Sequence, residues 1–277
     1  MGARMSFRKE RIVRAFGQAE GYDSHAVIQR EAARRLADSI AAYVPRPAGP
    51  ALEIGCGTGM LSSAMLAHWP DLQLTVTDIA PAMVERARTR LGPRASVDFA
   101  VADGEDPPAV TDGWGLILSS LAFQWFDRLD EALARLYDRL ARGGWLCFAT
   151  LGADTFREWR DARAAAGLAD ATRSYPDASN WGALVPAGCE YRVERYLLTE
   201  QHADGFAFLR GLKAIGAATA WNDDRGASPR GLRRAVSLLE AGGCAVTYDI
   251  AQLMIRRPLQ DGGTVAGPLQ GNSPEGL

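Results

Sequence analysis

Histidine and lysine are nearly missing from this chain of 277 residues: there are three histidines, and Lys9 and Lys213 are the only lysines. The four cysteines, Cys56, Cys147, Cys189 and Cys244, are scattered and form no C-x-x-C pair. Isolated histidines and such cysteines argue against a structural zinc site or a disulfide framework, so no metal is expected and a reducing, cytoplasmic setting is. Neither a Ser/His/Asp nor a Cys/His arrangement is readable, which removes the usual nucleophilic hydrolases. Long apolar runs are lacking too. The longest, from Trp114 to Phe126, is broken by Ser119, Ser120 and Gln124 and is too short to span a bilayer. Arg4, Arg8, Lys9 and Arg11 are followed by no apolar segment, so no secretory signal and no membrane association are expected. A net charge of −2 leaves nothing global to attract nucleic acid, and 47% apolar against 23% charged residues excludes disorder.

What is present is a rhythm. Residues 7–44 read as two helices: Ile12, Val13 and Phe16 share a face, and after Gly21 so do Val27, Ile28, Leu36 and Ile40. Pro45, Pro47 and Pro50 mark a linker. From Ala51 onward, strands alternate with helices. Strands are expected at Ala51–Ile54, Leu72–Thr77, Ser96–Val101, Trp114–Ser119 and Trp145–Leu151, and helices at Met60–His68, Ala82–Leu91 and Leu129–Leu140. That alternation predicts βαβ units and a parallel sheet covered on both faces. After Gly152 the pattern changes: helices at Thr155–Ala166, Phe206–Gly216 and Leu232–Glu240 are interleaved with strands at Tyr191–Leu198 and Cys244–Leu253. Residues 258–277, rich in Gly, Pro and Gln, are expected to be disordered.

The sharpest local signal is Leu52-Glu53-Ile54-Gly55-Cys56-Gly57-Thr58-Gly59, a buried strand running into alternate glycines before a helix. A dinucleotide fingerprint needs a third glycine at position 60, which is Met60, so the turn suits a ligand without a pyrophosphate. Asp78 ends the second strand, where a carboxylate can accept both hydroxyls of a ribose; it can equally cap the helix that follows. Asp103-Gly104 follows the third strand and can accept from an adenine amino group or simply close a turn. The three features lie at the carboxyl ends of successive strands, where open α/β sheets bind ligands.

With these residues, 51–151 resembles a class I S-adenosylmethionine-dependent methyltransferase. The resemblance implies an α/β fold: a doubly wound, mostly parallel, seven-stranded Rossmann-like sheet. Residues 1–46 would form N-terminal lid helices, 47–257 the cofactor-binding domain, and about 155–228 an α-helical cap insertion. It implies that Glu53, Gly55, Gly57 and Gly59 approach the methionine portion of S-adenosyl-L-methionine, Asp78 the ribose and Asp103 the adenine, with Ile79 and Gly104 also at the cofactor. Ser119 would lie beneath the sulfonium and Gln29 would donate to the methionine carboxylate.

Further segments are similar to the malonyl-[acyl-carrier-protein] O-methyltransferases of biotin synthesis. They are Ala15–Ala19, Tyr22–Gln29, Leu118–Trp125, Gly152–Trp159, Leu209–Ala217 and Val246–Asp249. Ser120 stands where that family commonly has Asn. The resemblance implies methyl transfer to the free carboxylate of a malonyl thioester, carried by acyl carrier protein on phosphopantetheine or by coenzyme A; another small carboxylic acid or small-molecule acceptor remains the alternative. A carboxylate is already ionised at neutral pH and needs no general base. Tyr22, Phe123 and Trp125 are therefore expected to position and desolvate the acceptor. Gln124 joins them in substrate binding, and Arg210 and Lys213 await an acidic carrier. Arg4, Arg8, Lys9, Arg11 and Arg14 form a second basic cluster for the same role.

Overall fold

The computed structural model describes residues 6–19, 21–186, 189–216 and 227–259. Its centre is one sheet of seven strands in the order β3-β2-β1-β4-β5-β7-β6: β1 (Ala51–Ile54), β2 (Leu74–Asp78), β3 (Val97–Val101), β4 (Trp114–Ser120), β5 (Leu140–Leu151), β6 (Glu190–Gln201) and β7 (Ala245–Arg256). The pairs β2–β3, β1–β2, β1–β4 and β4–β5 are parallel, and β7 runs antiparallel to both β5 and β6. The expected doubly wound, mostly parallel sheet is what the chain forms.

Strand periodicity explains the two layers. In β5, Trp145, Cys147, Ala149 and Leu151 join the apolar cluster on one face, and Leu146 and Phe148 the cluster on the other. The alternation breaks once in β4: a register shift between Trp114 and Leu116 puts Trp114 in the layer of Ile117 rather than with Leu116. Helix α3 (Val27–Tyr43) packs Ile28, Leu36 and Ile40 against the first face, with Ala32, Ala33 and Ala37 allowing close approach. Each fully buried Leu or Ile contributes about 1.5–3 kcal/mol.

The 7–44 region holds three helices, α1 (Phe7–Gly17), α2 (Tyr22–His25) and α3, rather than two. Ala26 interrupts the helical path, so Tyr22 and Gln29 sit on different helices. Helices α4 (Met60–His68), α5 (Pro81–Leu91) and α6 (Leu129–Asp138) are the crossovers. Beyond β5 come α7 (Arg157–Ala165), α8 (Gly205–Ala214) and α9 (Pro229–Ala241). The stretch 155–228, expected as an α-helical cap, therefore contains β6, an edge strand of the sheet. Among the described residues no helix is long and apolar enough to cross a membrane. Most of the expected tail, from residue 260, lies outside the described residues, as do Arg4 of the basic cluster and the end of the Leu209–Ala217 segment.

Candidate active site at the carboxyl edge of the sheet

Sequence order reverses between β1 and β4, and the crevice at such a switch point is where α/β sheets take ligands. A cavity of about 900 Å³, partly open to solvent, lies there. Its floor is the turn after β1. Gly55 and Gly57 have φ of +67° and +53°, a conformation that side chains rarely adopt. A Cβ on Gly55 would come within 2.3 Å of the Ala122 Cβ, so the β1 turn and the chain after β4 can close only around glycine.

Carboxylates ring this floor. Asp78 accepts from the backbone N–H of Gly57 at 2.9 Å and of Ala80 at 2.8 Å; burial nonetheless pushes its carboxyl above the ordinary range, against those two bonds. Glu53, 1% exposed, accepts from the Ser62 hydroxyl, and burial raises it to about 8. Asp103 accepts from Glu105 N–H at 3.0 Å and forms an ion pair of 2.6 Å with Lys9 of α1, which also reaches Glu105 at 2.5 Å. Burial alone would lower the Lys9 ammonium, but its two acidic partners hold it above its usual value. Ile79 and Gly104 line the same cavity, and a Cβ on Gly104 would meet Ile54 Cγ2 at 2.4 Å.

A second chamber of about 520 Å³ adjoins the first, and Phe16, Tyr22, Gln29, Leu121 and Trp125 line both. Phe156, Tyr175 and Tyr248 supply aromatic wall on the far side and Gln124 a polar one. Trp125 meets Phe16 edge-on, with centroids 5.3 Å apart. Burial raises the Tyr22 and Tyr175 hydroxyls far above their ordinary value, so both remain donors at neutral pH. None of the described residues around this chamber is charged at neutral pH. Leu121 turns into the junction with φ +52°, a strained conformation for a non-glycine residue. Helix α2 is fastened to the glycine turn through Asp23, which accepts from the Thr58 hydroxyl at 2.7 Å and pairs with Arg90; Arg90 in turn donates to the Thr58 carbonyl at 2.7 Å.

Four expectations need correction. Ser119 is fully buried and donates to the Ile54 carbonyl at 2.8 Å; its neighbour Ser120, pointing to the other side of β4, lines the cavity, its hydroxyl without a partner. Phe123 is a core side chain, wedged between Phe126 and Phe148 at 4.7 Å each. Gly59 does not line the cavity: its Cα approaches Ala87 of α5, where a Cβ would sit 3.2 Å from backbone. Arg210 and Lys213, expected to meet a carrier rather than the acceptor itself, are not among the four: they lie exposed on the outer side of α8, whose Leu212 lines the chamber. Lys9 was expected at a carrier-facing rim and instead lines the cavity beside Asp103. Leu121, Tyr175 and the Asp23–Thr58–Arg90 link were not anticipated; no residue type or spacing announces them.

A ring of acids, a glycine cradle and an unpartnered serine hydroxyl suit a ligand with hydroxyl, amino and cationic groups, which is the donor set an adenosyl sulfonium presents. Comparison with known proteins points the same way. A family model described as a methyltransferase domain matches residues 52–146. The biotin biosynthesis bifunctional protein BioCD of Bordetella avium is 40% identical over 87% of this chain, which spans 50% of that longer protein. The malonyl-[acyl-carrier protein] O-methyltransferase of Magnetococcus marinus is 36% identical over 92% of this chain and 95% of its own length. A solved structure from Bacillus halodurans shares the fold at 14% identity, with a TM-score of 0.58 over 80% of this chain and 98% of that one.

Proposed function

This chain belongs to the malonyl-[acyl-carrier protein] O-methyltransferase family, and from that premise we propose that it methylates the free carboxylate of a malonyl thioester on acyl carrier protein, using S-adenosyl-L-methionine. The observation that carries the substrate class is the charge-free second chamber. A phenol or amine acceptor must lose a proton and calls for a base at the junction; a carboxylate arrives ionised. Two cavities sharing one wall suit a two-substrate transfer.

Asp78 would hold the ribose hydroxyls, Asp103 with Gly104 the adenine, and Glu53 with Gly55 and Gly57 the methionine end, with Ile79 and Gln29 alongside and Ser120 donating in place of Ser119. When bound, the cofactor supplies a sulfonium-borne methyl: a carboxylate oxygen bonds to that carbon as the carbon–sulfur bond breaks, leaving a neutral thioether. The protein's part is placement and drying. Tyr22, Gln29 and Gln124 offer neutral donors that orient a carboxylate without neutralising it. Leu121 and Trp125 exclude water from the junction, and in a water-poor site opposite charges that cancel on reaction are favoured over their solvated forms. Positioning of this kind is worth up to about 7–11 kcal/mol in model reactions.

The test is incubation with malonyl-loaded carrier protein and methyl-labelled cofactor. Label in an alkali-labile ester on the carrier is expected; label confined to other acceptors would overturn the reading. The ester so formed would serve as primer for the pimeloyl chain of biotin.

A further inference from the structure

Resting on that reading, we propose that the outer face of α8 is the docking surface for the acidic carrier protein, and that the groove beside it guides the thioester arm to the chamber. Helix α8 has two faces with different duties. Inward, Phe208 and Leu212 are buried, and Leu212 with Ile215 walls the second chamber. Outward, Phe206, Arg210 and Lys213 stand at i, i+4 and i+7, one stripe about 10 Å long. Phe206 is 44% exposed, an aromatic ring left in water beside two cations.

Among the described residues, intramolecular pairing does not account for this stripe. Arg210 pairs with Asp204 at 3.5 Å, an exposed pair of small worth, and Asp204 is already engaged in capping α8 through the Ala207 N–H at 2.6 Å. Lys213 is exposed, with no ion pair to a described residue. Two cations following an aromatic along one stripe are too few to track a nucleic-acid backbone, but they match a short acidic helix with an apolar position.

Alongside the stripe runs a groove of about 730 Å³. Arg210 and Gly211 form one bank, and Gln201 and His202 the other. Its inner end is closed by Leu212, Ile215 and Tyr248, the same three side chains that wall the second chamber. The groove and chamber are therefore separated by one layer of side chains. A flexible chain lying in the groove needs only their rotation to bring a terminal carboxylate to the junction. A folded carrier domain cannot enter, so it must stop on the rim, where the stripe is.

The experiment compares two acceptors and one binding measurement. Anisotropy of labelled holo-carrier protein, read without the methyl donor, should show about tenfold weaker binding to a Phe206→Asp/Lys213→Glu variant. The KM for malonyl-carrier protein should rise by the same factor, while turnover of S-malonyl-N-acetylcysteamine stays within twofold. Gly211→Leu adds atoms where nothing lies within 4 Å of a Cβ. It should keep carrier affinity within twofold yet lower kcat/KM for the carrier-borne substrate about tenfold. Unchanged carrier affinity in the double variant, or an equal loss on both acceptors, would overturn the docking face. Ester formation on neither acceptor would instead refute the proposed reaction, and the anisotropy would still decide the docking.

Discussion

Glu53 is the most exacting test of the site's electrostatics. It is fully buried, and its carboxyl titrates at about 8 against 4.5 in an unfolded chain. An acid raised on folding binds more protons folded than unfolded between those values, so it stabilises relative to its ionised form below 4.5 and costs stability as pH climbs toward 8. The separation of about 3.5 pH units converts to about 5 kcal/mol, most of it incurred by pH 8. Glu53→Gln removes the titration and keeps an oxygen for the Ser62 hydroxyl. Urea unfolding of both proteins without cofactor, from pH 5 to pH 9, isolates the effect. The wild type should lose several kcal/mol relative to Glu53→Gln over that range, with the difference levelling off as pH 9 is approached. Parallel curves would mean that Glu53 is already ionised in the folded protein, and the argument from burial would fail. Cofactor affinity supplies the converse: a cationic ligand favours the ionised acid, so binding to the wild type should tighten from pH 6 to pH 8 and binding to Glu53→Gln should not.

Asp78→Ala should weaken cofactor binding by about a hundredfold in calorimetry, since it removes a carboxylate and frees the Gly57 and Ala80 N–H groups. Gly55→Ala should lower stability by about 2–3 kcal/mol, hence Tm by about 5–10 °C, because its Cβ collides with Ala122 at positive φ. Tyr22→Phe should reduce kcat/KM about tenfold while leaving the shape of the pH–rate profile unchanged, as its raised hydroxyl donates and does not serve as a base. A lost basic limb in that profile would contradict the role.

What could be read in advance follows from the range over which each feature is encoded. The β1 turn is a contiguous string, and Asp78 and Asp103 end strands whose apolar pattern is local, so their shared edge follows from the winding rule alone. Ser119 and Ser120 show the limit. Side chains alternate across a strand, so of two neighbouring serines at the end of β4 only one can face the cavity, and their identity alone does not say which. Phe123 and Trp125, two positions apart, are aromatics of equal promise, and only the tight turn after Leu121 sends one into the core and the other to the junction. Lys9 reaches Asp103 across 94 positions, a pairing that no local pattern contains.

Helix α2 and the glycine turn are bolted together by Asp23, Thr58 and Arg90, so the floor of one chamber cannot shift without carrying the wall of the other. Ligands on the two sides of Tyr22 thus share a single mechanical partition. Whatever factor the first arrival adds to the grip on the second, thermodynamic reciprocity returns in equal measure.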